Sequence, residues 1–253
     1  MTTMGRLLRL GPADAGARKT MFTVALIGPD GSGKTTVSQR LERELGLPVA
    51  SIYMGVNMYS SGVVAPHTRL IRFLRQRKNG NDPNLTSDIN DDRPRPKKAT
   101  ARPLASIRSG LRLTSWLAEE SYRLMVARRQ TRRGRIVVFD RHFFADFYAE
   151  EAGAPAASSR PMARRIRMFV MKHVYPRPDL TVYLDAPAEV VYARKPEGTI
   201  ERLRQRREAY LALLPALPEH VVVDATQPAD EVVNQVAGAI RSFHQRRLEE
   251  NRP

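Results

Sequence analysis

The residues with the clearest capacity for chemistry lie in one stretch, Thr23 to Thr36, which reads T-V-A-L-I-G-P-D-G-S-G-K-T-T. A short apolar run leads into Gly28, and the pattern G-x-x-x-x-G-K-[ST] then fits at every fixed position. The apolar run predicts a buried strand, and the residues after Lys34 predict a helix. A glycine-rich turn between a strand and a helix is typical of a phosphate-binding loop.

Each residue type in this loop has a physical role toward phosphate. Glycines let the backbone turn with its N–H groups inward, and the start of the helix adds the positive end of its dipole. Lys34 can bring a mobile charge to the β- and γ-phosphates of a nucleotide, and the Thr35 hydroxyl can bind Mg²⁺. The candidate nucleotide-binding residues of the loop are therefore Gly28, Asp30, Gly31, Ser32, Gly33, Lys34, Thr35 and Thr36.

A second signal is an apolar strand that ends in an acid, Ile136 to Asp140. Its carboxylate can hold the hydration shell of Mg²⁺ opposite the phosphates. Arg141 follows directly and can bind a phosphate through two parallel hydrogen bonds, and His142 comes next. A similar run ends at Asp185, but Pro187 lies at a helix start there, so a capping or indirect role competes. We therefore assign the metal-facing role to Asp140.

Composition limits the classes of protein that remain. The chain has 253 residues, enough for a full hydrophobic core, and no cysteine. The lack of cysteine excludes disulfides, cysteine-bound zinc and thiolate catalysis. No apolar run approaches the roughly 20 residues that cross a bilayer, and no signal-peptide stretch is present. We therefore expect a cytoplasmic protein that does not enter the membrane.

The formal net charge of +16 raises the question of a polyanionic partner. The excess arginine is spread over helices and one long loop, which is more typical of a solvated surface than of a binding groove. The segment from Lys78 to Pro103 is rich in Asn, Asp, Pro, Lys and Arg and has few apolar residues. We expect a flexible insertion there, either disordered or ordered by an acidic partner such as nucleic acid.

The rest of the chain predicts one domain over residues 21–248, preceded by a mobile tail over residues 1–20. Strands are expected at Val49 to Met54, Ile136 to Asp140, Leu180 to Asp185 and Val221 to Val223, with a long helix from Leu104 to Arg133. Trp116 on that helix is most simply a core residue, with base stacking as the alternative. Strands separated by helices imply an α/β fold with a parallel five-stranded sheet covered on both faces.

In such sheets, the loops after the carboxyl ends of the strands line the ligand crevice. Tyr53 and Asn57 follow the second strand and are therefore candidates for contact with a substrate. Either residue alone is more often structural.

Four motifs in order resemble the thymidylate kinase family of P-loop nucleoside monophosphate kinases. They are G-P-D-G-S-G-K-T-T at 28–36, F-D-R-H at 139–142, P-D-L-T-V-Y-L-D at 178–185 and V-V-V-D-A-T-Q-P at 221–228. The resemblance covers Met21 to Leu45 and most of Leu111 to Ala239. It implies ATP and Mg²⁺ as cofactors and a small-molecule phosphate acceptor, and a homodimer is a candidate assembly.

The resemblance also implies roles for individual residues. Lys34 and Thr35 would bind the ATP phosphates and Mg²⁺, and Asp30 would lie near the transferred phosphoryl group. Asp140 would assist the metal, Arg141 would bind the acceptor phosphate, and the stretch from Arg194 to Arg207 would close over ATP as a lid. The remaining candidates are the lid arginines Arg194, Arg202 and Arg206, the adenine-side residues Thr226 and Gln227, and the acceptor-side residues Tyr53, Asn57, Arg123 and His142.

The chain departs from the family on the acceptor side. The family carries a Thr-Arg-Glu-Pro-Gly type segment after the second strand, where this chain has Y-M-G-V-N at 53–57. The family also carries a Phe-Ala-x-x-Arg setting before the third strand, where this chain has W-L-A-E-E at 116–120 and Arg123 one turn later.

Three hypotheses follow: a nucleoside monophosphate kinase with dTMP as the default acceptor, a kinase of the same fold for a sugar or glycan intermediate, and a nucleic-acid-binding P-loop ATPase. A G protein is excluded because no Asn-Lys-x-Asp motif is present.

Overall fold

The described part of the chain is built on a parallel sheet. The computed structural model describes residues 21–54, 63, 65–66, 68–69, 73, 102–141, 162–173 and 175–252. The strands are β1 (Thr23–Ile27), β2 (Val49–Tyr53), β3 (Ile136–Asp140), β4 (Leu180–Asp185) and β5 (His220–Asp224). They form one five-stranded sheet in the order β2-β3-β1-β4-β5, and every neighbouring pair is parallel.

Helices cover both faces of this sheet. They are α1 (Lys34–Glu44), α2 (Arg102–Arg132), α3 (Met162–His173), α4 (Ala188–Arg194), α5 (Ile200–Leu213) and α6 (Ala229–Glu250), with a 3₁₀ turn at Leu214–Ala216. Within the described ranges, none of the helices is both long and apolar enough to cross a membrane. The predicted α/β class is confirmed.

Side chains of the central strand β1 alternate between two cores, as a strand's period of two requires. Val24 and Leu26 lie in a core shared with α1 and α6, whereas Ala25 and Ile27 lie in a core shared with α2 and α5. All four side chains are fully buried. The strand that leads into the phosphate-binding loop is therefore held from both faces, which gives the loop a rigid base.

Most boundaries agree with the sequence predictions. β3 and β4 have the predicted bounds, β2 ends one residue early, and β5 is one residue longer at each end. The main correction concerns the basic segment, since Arg102 and Pro103 belong to the first turn of α2. Proline is tolerated there because the N–H groups of the first turn have no acceptor within the helix, so the missing N–H of proline breaks no hydrogen bond. The predicted tail and residues 78–101 lie outside the described residues.

Trp116 packs against the second core, as predicted, although it is only partly buried. The Arg167 guanidinium from α3 lies 4.5 Å from its ring centroid. The Trp116 side chain therefore joins α2 to α3 through apolar packing and a cation–π contact.

The parallel arrangement gathers the carboxyl ends of the strands at one edge. Leu26 is in register with Asp140 on one side, and Ile27 is in register with Tyr183 on the other. The loop after β1 therefore emerges between the ends of β3 and β4, which is where an open α/β sheet binds ligands.

Gly28 should tolerate no larger residue. Its φ is 145°, and a Cβ added there would lie 2.7 Å from the Leu184 carbonyl oxygen. Gly28→Ala should lower the free energy of unfolding by at least about 2 kcal/mol, because it combines backbone strain with a backbone clash. Urea denaturation measures this change.

Gly110→Ala is the matched control, since Gly110 lies in α2 and a Cβ there would meet nothing within 4 Å. It should raise stability by up to about 1 kcal/mol, because alanine is the better helix former. Equal effects of the two substitutions would contradict the assigned packing at Gly28.

Candidate active site at the carboxyl ends of the strands

The phosphate-binding loop depends on three glycines with positive φ. Gly28, Gly31 and Gly33 have φ angles of 145°, 96° and 91°. A Cβ at Gly31 would lie 3.1 Å from the Val191 carbonyl oxygen, so the loop passes close to α4. Gly33 is the N-cap of α1 and provides no side-chain cap. The loop therefore leads directly into the amino-terminal end of α1, where the unpaired backbone N–H groups and the helix dipole favour a bound anion.

Lys34 directs its charge into the loop. Its Nζ donates hydrogen bonds to the carbonyl oxygens of Gly28 at 2.8 Å and Pro29 at 2.6 Å. The same atom lies 4.0 Å from Asp30 Oδ1, and the side chain is 4% exposed. A buried ammonium group is costly unless it is paired, so these carbonyls and the carboxylate hold it in place. Thr35 and Thr36, by contrast, are exposed at the start of α1.

Arg141 reaches back to the loop from the end of β3. A guanidinium N–H (NH2) forms an ion pair with Asp30 Oδ1, and the guanidinium carbon lies 5.9 Å from the centroid of the Tyr53 ring. Its φ of 65° is left-handed. That conformation costs roughly 1–3 kcal/mol in a residue with a side chain, and such strain is concentrated at functional sites. The structure therefore brings together the predicted residues Asp30, Arg141 and Tyr53.

Asp30 is the point on which several positive charges converge. Burial acts to raise the pKa of its carboxyl group, but Arg141, Lys34, Arg206 and Lys195 together hold that pKa below its ordinary value. Asp30 is therefore a carboxylate at neutral pH. Lys195 is a member of this group that sequence reasoning missed, although it lies beside the predicted Arg194.

Asp140 has the surroundings expected of a metal-facing carboxylate. The residue is 5% exposed, and its Oδ1 atom is buried with no hydrogen-bond partner among the described residues. A buried carboxylate oxygen without a partner is unfavourable unless a cation or water satisfies it. The described residues contain no cluster of three or more acidic, His or Cys side chains that could form an all-protein metal site.

The competing acid, Asp185, is already engaged. Arg207 donates from Nε to Asp185 Oδ1 at 2.7 Å and from NH2 to Oδ2 at 2.8 Å. The hydrogen bond from Arg207 is the main reason that the pKa of Asp185 lies below its ordinary value. This ion pair favours Asp140 for the metal-facing role, which stays a prediction.

The three predicted lid arginines occupy different surroundings. Arg206 is close enough to Asp30 to affect its pKa. Arg194 donates to the Ala225 carbonyl oxygen at 2.7 Å and to the Thr226 carbonyl oxygen at 3.4 Å, on the predicted adenine side. Arg202 is exposed, and its backbone N–H bonds the Thr199 hydroxyl at 3.3 Å. Of the three, Arg206 is the arginine whose charge acts on the pKa of the loop residue Asp30.

The adenine-side loop after β5 is ordered by its own side chains. Asp224 Oδ1 accepts hydrogen bonds from the Thr226 backbone N–H at 2.9 Å and from its hydroxyl at 2.7 Å, which is an Asx turn. Gln235 donates to Gln227 Oε1 at 2.6 Å. Contact of Thr226 and Gln227 with ATP stays a prediction.

On the acceptor side, Arg123 lies in a buried ionic cluster. It is 1% exposed, with its Nε 3.4 Å from Glu119 Oε1 and its NH1 3.3 Å from Glu120 Oε1. Tyr175 donates its hydroxyl to Glu120 at 3.1 Å, and Thr68 donates its hydroxyl to Glu119 at 2.7 Å. The structure does not bring Arg123 to the Asp30 group. The predicted residues Asn57 and His142 lie outside the described residues.

These features define a class before any comparison is made: an α/β fold with a P-loop at the carboxyl ends of its parallel strands. No protein-family model matches the chain. A probable thymidylate kinase from Archaeoglobus fulgidus is 33% identical over 118 residues, which cover 44% of this chain and 55% of that relative. The chain therefore matches about half the length of this curated relative.

Among solved structures, the fold is similar to that of a deoxyadenosine kinase from M. mycoides determined with dCMP and dCDP. The TM-score is 0.51 at 16% identity, over 87% of this chain and 99% of that one. This likeness shows the fold. Together the comparisons agree with the resemblance that the motifs indicate: one relative is similar in sequence over about half its length, and one solved structure is similar in fold.

The acidic cluster on α2 should make stability depend on pH. Burial raises the pKa of Glu120 from 4.5 to about 7, against the effects of Arg123 and the Tyr175 hydroxyl. The folded protein then holds a proton that the unfolded chain releases, so stability falls as pH rises between these two values. Glu120→Gln has no carboxyl group at this position and should not lose this stability. Between pH 5 and 8, its free energy of unfolding should rise by about 2–3 kcal/mol relative to that of the wild type.

Urea denaturation at a series of pH values measures this gain. Glu42→Gln, on the exposed face of α1, is the control and should not change the pH profile. A difference between Glu120→Gln and the wild type that is constant across pH would show that Glu120 does not titrate in this range.

Proposed function

We propose that the protein is an ATP- and Mg²⁺-dependent phosphotransferase that moves the γ-phosphoryl group of ATP to a nucleoside monophosphate, with dTMP as the default acceptor. The observation that carries this proposal is the convergence of Lys34, Arg141 and Arg206 on Asp30, beside the buried carboxylate of Asp140. The similarity to a probable thymidylate kinase supports dTMP as the first acceptor to test.

On the donor side, the loop and Lys34 bind the β- and γ-phosphates. The ammonium group now held by the Gly28 and Pro29 carbonyls exchanges these neutral acceptors for phosphate oxygens, which are stronger charged acceptors. Asp140 and Thr35 would hold Mg²⁺, which when bound neutralises charge on the phosphates.

On the acceptor side, Arg141 binds the phosphate of the monophosphate. Its guanidinium faces the loop from the end of β3 and is paired with Asp30. A dianionic phosphate competes with that carboxylate because it offers more charge and the same two-bond geometry. Asp30 remains ionised, so it orients groups by accepting hydrogen bonds and does not act as an acid.

Arg206 and Lys195 complete the positive surroundings of the transferred group. Both act on the pKa of Asp30, and the Lys195 Cβ would lie 3.3 Å from a Cβ added at Gly31 in the loop. Negative charge spread over the equatorial oxygens during transfer is stabilised by such fixed cations without further reorganisation.

A coupled ADP-release assay over nucleoside monophosphates, deoxynucleosides, sugars and oligonucleotides tests the proposal. We expect turnover with dTMP or another monophosphate, dependent on added Mg²⁺. Lys34→Ala should reduce kcat by at least about 100-fold, because the phosphates lose their internal cation. Activity confined to sugars or oligonucleotides, or wild-type kcat in Lys34→Ala, would overturn the assignment.

Arg141→Ala tests the acceptor site separately. It should lower kcat/KM for the monophosphate by about 100-fold and leave the KM for ATP unchanged, because a two-bond guanidinium–phosphate contact is worth roughly 2–3 kcal/mol. Arg141→Lys keeps the charge but not the two-bond geometry and should be intermediate. Arg43→Ala, on the exposed last turn of α1, is the control. An unchanged kcat/KM in Arg141→Ala would remove Arg141 from the acceptor site.

A further inference from the structure

The ion pair between Asp185 and Arg207 differs from the neighbouring ion pair on the same helix. Arg207 makes two nearly equal hydrogen bonds, at 2.7 and 2.8 Å, to the two oxygens of one carboxylate. Arg204 instead directs both its hydrogen bonds to a single oxygen of Glu189, and both side chains are more than half exposed. A planar two-bond pair constrains orientation, whereas an exposed single-oxygen pair constrains little.

The carboxylate end of this pair is anchored in the sheet. Asp185 is the last residue of β4, in register with Asp224 of β5, and its carbonyl oxygen accepts from the Ala225 N–H at 2.7 Å. The preceding residue, Leu184, is the one whose carbonyl oxygen lies against Gly28. Arg207 therefore binds to a fixed point directly beside the phosphate-binding loop.

The helix end of the pair belongs to a docked element. Leu203, Tyr210 and Leu213 of α5 are buried, and the Tyr210 ring packs 5.6 Å from that of Tyr183. Residues 192–199, by contrast, are all exposed. The predicted lid from Arg194 to Arg207 thus consists of an exposed connection followed by a helix that is packed on the core. The second part forms a wall of the site.

Arg206 and Arg207 are neighbours on this wall and point about 100° apart around the helix axis. Arg207 binds the end of β4, and the charge of Arg206 acts on Asp30 in the loop. Packing of Leu203, Tyr210 and Leu213 turns one face of the helix to the core, and a directional contact constrains its rotation further. The two hydrogen bonds of Arg207 are such a contact, one residue away from Arg206.

We propose that Arg207 and Asp185 are positioning residues: their two-bond ion pair fixes α5 at the end of β4, and so fixes the position of the adjacent Arg206 relative to the phosphate-binding loop. The role of Arg206 in transfer rests on the proposed function, whereas its position does not. Arg206 is then available before nucleotide binds, whereas Arg194 lies in the exposed connection and Arg202 on the exposed first turn of α5. This separates three arginines that have equal standing in the sequence.

Kinetics of Arg207→Gln, Arg207→Lys and the control Arg204→Gln test this proposal. Arg207→Gln should lower kcat about 10- to 100-fold with less than a threefold change in the KM for the acceptor, because Arg206 acts on the transferred group. The kcat of Arg207→Lys should lie between those of Arg207→Gln and the wild type. If Arg207→Gln does not fold, Arg207→Lys is compared with Arg204→Gln in its place. Arg204→Gln should stay within about twofold of the wild type, since its ion pair is exposed.

The double variant Asp185→Asn/Arg207→Gln separates positioning from an independent role of Asp185. It should be no worse than the poorer single variant, because both substitutions remove one contact. Multiplicative losses would show that Asp185 acts separately, for instance on the metal, and would overturn the proposal. So would an equal effect of Arg204→Gln and Arg207→Gln.

A readout without catalysis distinguishes failure of this proposal from failure of the proposed function. The pKa of Asp30 can be followed by carboxyl ¹³C NMR, with the resonance assigned through Asp30→Asn. In Arg207→Gln, the pKa of Asp30 should rise toward its ordinary value as Arg206 moves away, while Arg204→Gln should leave it unchanged. An unchanged Asp30 titration in both Arg207 variants would overturn the proposal, whether or not the protein transfers phosphate.

Discussion

The structure of the site depends on the pairing of one carboxylate with several cations. Lys34, Arg141, Arg206 and Lys195 all act on Asp30, so the repulsion among four positive charges is offset at one point. In a partly buried place such repulsion is not screened by water as it is at the surface. The four cations come from different parts of the chain, namely α1, the end of β3, the exposed connection after α4, and α5, and all of them act on this one carboxylate.

The same arrangement explains where the chain tolerates strain. Arg141 adopts a left-handed backbone at the exit of β3, and this conformation turns its guanidinium back over the loop. For the same reason, Gly28 packs closely against β4 and Gly31 packs closely against α4. The loop must stay close to the elements that bear the charges. Under the proposed function, a phosphate that enters this site would meet donors already in position, so less reorganisation would be needed during transfer.

The acceptor side is built on a different principle. Arg123 is buried between two glutamates that also bind Tyr175 and Thr68, so its charge supports packing among three segments of the chain. The resemblance to the thymidylate kinases places an arginine near the base in this region, but here the surrounding acids occupy it. The phosphate-binding loop therefore follows the motif of the thymidylate kinases that the chain resembles, whereas the polar groups around Arg123 are arranged differently.

The sequence by itself determined the elements in which the signal is local. The strand, glycine turn and helix around Lys34 are predicted residue by residue, as are the bounds of β3 and β4, because apolar runs and turn residues act over short distances. It also indicated that Asp140 would lie opposite the phosphate-binding loop, whereas the roles of Asp30 and Arg141 toward the transferred group were implied by the resemblance to the thymidylate kinases.

Only the tertiary structure decided which of the arginines between 194 and 207 faces the loop, and that Arg207 binds Asp185 from 22 residues away. The sequence also did not show that Arg123 lies in a buried cluster. Thr68 is 51 positions from its partner Glu119, and Tyr175 is 55 positions from its partner Glu120. These outcomes depend on the rotation and docking of whole helices. No window of sequence records that rotation, because it is set by packing against residues far away in the chain.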